Sequence, residues 1–354
     1  MFSSSSWLVT PGYIVEQSTQ GNSLCSGPTK NQGQLFLYIA TISGNAIDKA
    51  LPSRVSVQME RKSHIDAFGA IALIAFALNL AFNQVVIKVT NGGFNPVFSA
   101  GLRSLGAIVV LVIWMKMRGV SFAFPRAAWG AAVLSGILFT FEFTCLFVAL
   151  DTTTVSRASV IFYSMPVWLT IAVNFLLPDE RLTSTKIIGL MLAMLGIAVA
   201  LGNRSGGHVS WTGDLLALLA ALSWAGIALL VRVTPLEKVP PAQQLMCQVA
   251  ISGPILVLMA PLFGPLVRDV QLIHLAGLTF QIFAVASFGF LAWFWLMSVY
   301  PASGVASFSF LSPVLSVILG WVLLSEHVAL SVWAALALIA AGIYLINRKP
   351  RMIA

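Results

Sequence analysis

Charge is scarce in this chain. Only 9% of its 354 residues are charged, 58% are hydrophobic, and the mean hydropathy is +0.91. A soluble domain carries about a quarter charged residues, and a chain this poor in charge cannot cover its own surface in water. Basic runs are missing as well. The net charge of +8 comes from Lys and Arg in short loops, without a basic patch interleaved with aromatics, so nucleic acid is excluded as a partner. Cys25, Cys145 and Cys247 are scattered, with neither metal-ligand spacing nor a disulfide framework. His64, His208, His274 and His327 lie in the tail or near helix ends, none at ligand spacing from a Cys or carboxylate. No Gly-rich phosphate loop occurs. ATP-driven chemistry, a metal centre and a bound cofactor are therefore not expected. A membrane enzyme, the alternative in another class, would need a nucleophile or an acid/base constellation that the sequence does not display.

Apolar runs are abundant. From Asp66 onward, segments of spanning length cover 66–89, 94–115, 128–149, 154–177, 183–202, 213–234, 242–263, 274–299, 303–325 and 329–347. A membrane helix needs about 20 apolar residues. The expected fold is all-α, a polytopic membrane protein with ten transmembrane helices. Residues 1–58 differ, being rich in Ser, Gln, Asn and Gly. They read as a disordered tail, or as sequence upstream of a true start at Met59. The stretch "ILFTFEFTCLF" (137–147) alternates as a strand would. Its flanks make a run of about 22 apolar residues, which is too long for a membrane strand, so it is read as helix.

Lys and Arg set the expected orientation. With the segment before the first helix inside, one side holds Arg61, Lys62, Lys116, Arg118, Arg126 and others through Arg351. The other side holds Lys88, Arg157, Arg204 and Arg268. The positive-inside rule then puts both termini in the cytoplasm of a cell (inner or plasma) membrane. The sequon Asn203-Arg204-Ser205 falls on the outer side and carries little weight.

The chain repeats itself. "MPVWLTIAVNFLLPDERLTSTKIIGLMLAMLGIAVAL" (165–201) is similar to "SPVLSVILGWVLLSEHVALSVWAALALIAAGIYLI" (312–346), matching Pro166 with Pro313, Glu180 with Glu326 and Gly196 with Gly342. "IALIAFALNLAFNQVVIKV" (71–89) is similar to "LLALLAALSWAGIALLVRV" (215–233). Each copy, 66–202 and 213–347, holds five helices. An odd number forces the second copy to enter the membrane from the opposite side, giving an inverted repeat. Two near-equivalent halves suit alternating access to a central site. The competing reading is a duplicated structural bundle without transport.

These segments, with "NQVVIKV", "GLRSLGAIVVL", "GDLLALLAALSW" and "SPVLSVILGWVLLSEHV", resemble the drug/metabolite transporter superfamily in its ten-helix EamA form. The resemblance runs from about Asp66 to Asn347. The chain departs from the pattern in its tail and at His327-Val328, where the family more often has an Arg-Leu-like pair. The resemblance implies a secondary transporter of a small metabolite, outward-directed and proton-coupled. It also implies that the arginine of the second helix, Arg103, is largely structural.

Polar residues inside the apolar segments are the candidate pathway. Asn79 and Asn83 share one face of the first helix at i, i+4 spacing. Arg103 lies ~13 Å and Glu142 ~10 Å from the same side of the bilayer, at 1.5 Å of rise per residue. Arg157 lies near the start of the fourth helix. A charge at such depth costs roughly 2.5–3.5 kcal/mol on insertion scales and needs a partner or a wet cavity. Two readings of Arg103 and Glu142 stand: substrate or proton sites, or a structural pair fixing the second helix to the third. Pro166 and Pro313 occupy equivalent positions, where each is expected to free a carbonyl, on Phe162 and Ser309, and to kink a helix lining the pathway. Trp293 and Trp295 read as pocket walls or interfacial anchors. The small residues of the fifth and tenth helices (Gly189, Ala193, Gly196; Ala337, Ala341, Gly342) make close-packing faces or a homodimer seam. The expected partners are a small-molecule substrate and the lipid bilayer.

Overall fold

The computed structural model describes residues 65–176, 183–202, 210–300, 308 and 311–347. The tail 1–58, Glu180, Asn203-Arg204-Ser205 and Ser309 lie outside them. The described chain is built from α-helices, and the only extended pairing among its residues is an isolated bridge between Phe94 and Val267. Eight helical stretches among these residues are long and apolar enough to cross a membrane, joined by the shorter apolar helices Leu311–Leu324 and Leu330–Ile346. The protein is an all-α polytopic membrane protein.

Helix starts follow local chemistry. α1 (Ala67–Asn91) begins at Asp66, whose carboxylate accepts from the Gly69 N–H. α2 (Pro96–Met117) begins at Asn95, whose side chain accepts from Val97 and Phe98, with Pro96 in the first turn where no N–H is needed. α3 (Trp129–Thr152) contains the stretch that alternates like a strand. Lipid supplies no partner for open backbone groups, so helix wins over local alternation.

The fourth span is not one helix. α4 (Val155–Phe162) stops, and α5 (Met165–Leu176) starts after two intervening residues. The expected kink at Pro166 is thus a break one turn earlier. Pro166 sits in the first turn of the new helix, where its missing N–H is tolerated. α6 (Ser184–Gly202) closes the first repeat. α7 (Trp211–Val233) and α8 (Pro241–Met259) open the second. The eighth span is also irregular: α9 (Leu272–Phe280) passes through a π-helical segment, Gln281–Val285, into α10 (Phe288–Val299). α11 (Leu311–Leu324) contains Pro313, and α12 (Leu330–Asn347) ends the described chain.

The second repeat is inverted. The end of α1 bonds to the end of α3 through Asn91 Nδ2 and the Phe147 carbonyl, 2.9 Å. At that same end, α7 begins: a side chain at Gly213 would meet Thr152 and Thr153 of α3. The leading helices also cross over. Asn79 on α1 donates to the Ala284 carbonyl of the second repeat, 2.9 Å, and Ser223 on α7 donates to the Leu138 carbonyl of the first, 2.8 Å. Asn79 and Ser223 occupy matching positions of the two copies, so one tie is made twice.

The small-residue faces of α6 and α12 meet each other. A Cβ on Gly189 would lie 2.7 Å from the Gly342 carbonyl oxygen, and one on Gly342 would lie 2.5 Å from that of Gly189. The backbones approach as small residues allow. Gly189, Ala193, Gly196 and Gly342 are buried in this contact, whereas Ala337 and Ala341 are exposed.

Candidate functional site

Arg103 on α2 is 1% exposed and Glu142 on α3 is 4% exposed. The guanidinium lies over the Phe143 ring, with Cζ 3.7 Å from its centroid, and reaches Phe147 at 5.2 Å. Arg103 Nε and Nη2 have no hydrogen-bond partner. Among the described residues Glu142 makes neither a hydrogen bond nor an ion pair, although the two charges interact through space. The structural reading of the pair thus has no direct hydrogen bond or ion pair between Arg103 and Glu142 to rest on among the described residues. The reason is helical geometry. Phe143 and Phe147 are one turn apart and form a single stripe, and Glu142 projects about 100° away from Phe143. The arginine packs on that stripe as a cation on π-faces, and the acid is left without a donor.

Asn79 and Arg157 make their bonds elsewhere. Asn79 is tied to Ala284 and borders a cleft of about 340 Å³ between α1 and α10, lined also by Phe76, Phe288 and Trp295. Asn83 is 5% exposed, and its Oδ1 has no partner. Trp293 stacks on Phe76 at 4.9 Å, whereas Trp295 is 43% exposed. Arg157 lies at the start of α4. It forms a bidentate pair with Asp214 of α7, Nε to Oδ1 at 3.1 Å and Nη2 to Oδ2 at 2.5 Å, with both side chains buried. Pro166 follows the α4–α5 break. Ser309, whose carbonyl Pro313 is expected to free, lies outside the described residues.

Sequence reading missed a second polar file. Gln84 and Lys88 share a face of α1. Gln84 Nε2 approaches the Tyr163 hydroxyl at 3.5 Å, beside the break in the fourth span. Tyr163 and Phe162 pack on Trp224 of α7, the latter stacked at 5.0 Å. Lys88 Nζ donates to the carbonyls of Leu150 and Thr153 at 2.9 and 2.6 Å. Glu326 accepts from Val155 N, Ser156 N and Ser156 Oγ at 2.6, 3.0 and 2.7 Å. A cleft of about 380 Å³ lined by Lys88, Thr154, Glu326 and His327 adjoins it. The sequence signal was available in part: a lysine three residues from the end of a membrane helix, and a glutamate matched between the copies.

The model of the EamA-like transporter family matches residues 67–202 and 211–348. The chain belongs to this family. It is 29% identical to the uncharacterized transporter YvbV of Bacillus subtilis over 261 residues, covering 72% of this chain and 84% of that protein. It is 25% identical to a probable amino-acid metabolite efflux pump of Salmonella typhimurium over 287 residues, 78% of this chain and 93% of that one. The uncharacterized inner membrane transporter YedA of Escherichia coli is 27% identical over 320 residues, 82% and 96% of the two chains. A crystal structure at 21% identity, covering 79% of this chain and 97% of its own, superposes with a TM-score of 0.57 and shares the fold. Membrane transport is the function that family membership supports.

Proposed function

We propose that this protein is a secondary active transporter that exports a small metabolite by alternating access, with proton coupling through Glu142. On this reading it resides in the plasma membrane with both termini in the cytoplasm. The observation that carries the proposal is the burial of both Arg103 and Glu142 without a direct bond between them, with Arg103 Nε and Nη2 unsatisfied. Burying an acid and a base without direct partners costs several kcal/mol that a plain structural bundle need not spend. A site that receives a ligand or proton uses such groups: the arginine for a carboxylate, the glutamate for an ammonium or a proton. Two relatives named as probable amino-acid metabolite efflux pumps agree with a small zwitterion as cargo. The inverted repeat supplies two near-equivalent halves for alternating access.

The test is a proteoliposome screen against amino acids, amines and sugar derivatives, with and without a pH gradient. Gradient-dependent movement of at least one solute is expected. Glu142→Gln is expected to abolish the pH dependence, and Arg103→Met to weaken carboxylate-bearing solutes most. Restoration of both folding and transport by Arg103→Met with Glu142→Leu would make the two residues structural.

A further inference from the structure

The half-helix α4 is held by two acids of the other repeat. Glu326, just beyond the end of α11, caps its first two N–H groups and bonds the Ser156 hydroxyl. Asp214, in the first turn of α7, grips Arg157 one residue further on. Every residue of α4 is buried. At its other end the helix is cut: Ser164 N turns back to the Ile161 carbonyl at 3.1 Å, and Pro166 has no N–H to continue the ladder.

The chain is shaped to deliver Glu326. Ser325 takes a left-handed conformation, φ 52°, which is unusual for a residue with a side chain. It folds the strand of chain back so that Glu326 N donates to the Gly320 carbonyl, 3.2 Å. Gly320 leaves the room. A Cβ there would lie 2.8 Å from Glu326 Oε2 and 3.0 Å from Ser156 Oγ. Lys88 and His327 line the cleft that reaches this contact. Local strain and a glycine passage around one carboxylate suit a contact that is made and broken.

We infer that α4 is the gate at this end of the bundle, hinged at Tyr163–Ser164 and latched shut by Glu326 and Asp214. This inference rests on the transport reading for its purpose, but the latch is tested without any substrate. In this state the latch is closed. Opening requires both acids of the second repeat to leave the first, so Glu326 and Asp214 act as positioning residues for the transport cycle.

The experiment measures labelling by a polar maleimide of Ser159→Cys, a fully buried position in α4. The full-length protein is used, with Cys25, Cys145 and Cys247 replaced. Leu73→Cys, 1% exposed near the opposite end of α1, is the control site. Glu326→Gln, Asp214→Asn and Gly320→Ala are each expected to raise labelling at position 159 about tenfold, equivalent to about 1.4 kcal/mol. Labelling at position 73 is expected to stay level or fall. Exchanging the charges, Arg157→Asp with Asp214→Arg, restores protection. Unchanged labelling at 159, or equal rises at both sites as in general loosening, would overturn the latch. A latch that responds in a protein that moves no solute would leave the latch standing and defeat the transport reading.

Discussion

The two ends of the bundle are fastened differently. Where α1 finishes, the ties are charged and cross between repeats: Arg157 with Asp214, Glu326 on α4, and Lys88 on the carbonyls ending α3. Arg268 adds a bond to the Asn91 carbonyl and a bidentate pair with Asp151. Val155 through Ser164 are all buried. Where α1 begins, the ties seen among the described residues have neutral donors. Tyr300 donates its hydroxyl to Asp66 at 2.8 Å, and Gln243 bonds the Ser121 carbonyl at 2.5 Å. Phe68 and Ile71 are exposed there. Buried charges hold only while paired, so opening the first end must separate them. An inverted repeat gives both ends related scaffolds. The difference between them lies in a few side chains.

That contrast can be broken in graded steps. The largest effect is expected from Arg157→Ala, which strands Asp214 in the interior. It should cost about 3–5 kcal/mol, read as a lowered unfolding temperature in detergent. Removing both charges with Arg157→Met and Asp214→Leu should recover much of that loss. Lys88→Met should come next. It leaves the Leu150 and Thr153 carbonyls without their donor, at roughly 1–3 kcal/mol, and should speed hydrogen exchange at the end of α3. At the other end, Tyr300→Phe removes the bond to Asp66, worth roughly 1–2 kcal/mol. It should raise maleimide labelling at Leu73→Cys and leave Ser159→Cys protected. Equal responses at both sites would erase the contrast. The smallest effect is expected from Asp151→Asn. Its pair with Arg268 is partly exposed and worth no more than about 1 kcal/mol.

Much of the fold was legible because lipid simplifies the code. Apolar runs placed α1, α2 and α3 within a few residues of Ala67–Asn91, Pro96–Met117 and Trp129–Thr152. The internal match between 71–89 and 215–233 aligns Asn79 with Ser223, and in the structure both make a tie to the other repeat. The interruptions were not legible. The π-helical turn at Gln281–Val285 follows from packing against α1 and α2, where Gly106 admits Ile282, and leaves no mark in hydropathy. The site was legible as a list and not as a geometry. Depth put Arg103 level with Glu142, but the azimuth on α3 is set by which face meets α2, and that face carries Phe143 and Phe147. Arg157 was visible as a buried charge, but its partner Asp214 lies 57 residues away in the other repeat. No spacing rule joins them.

The central claim is that Glu142 carries the coupling proton. It is tested most directly by loading proteoliposomes with a pH-sensitive dye and following internal pH while a transported solute is added. Wild-type protein is predicted to move protons against the solute, and Glu142→Gln to move solute, if at all, with no change in internal pH. Solute-driven proton movement that is equal in Glu142→Gln and wild type would contradict the account.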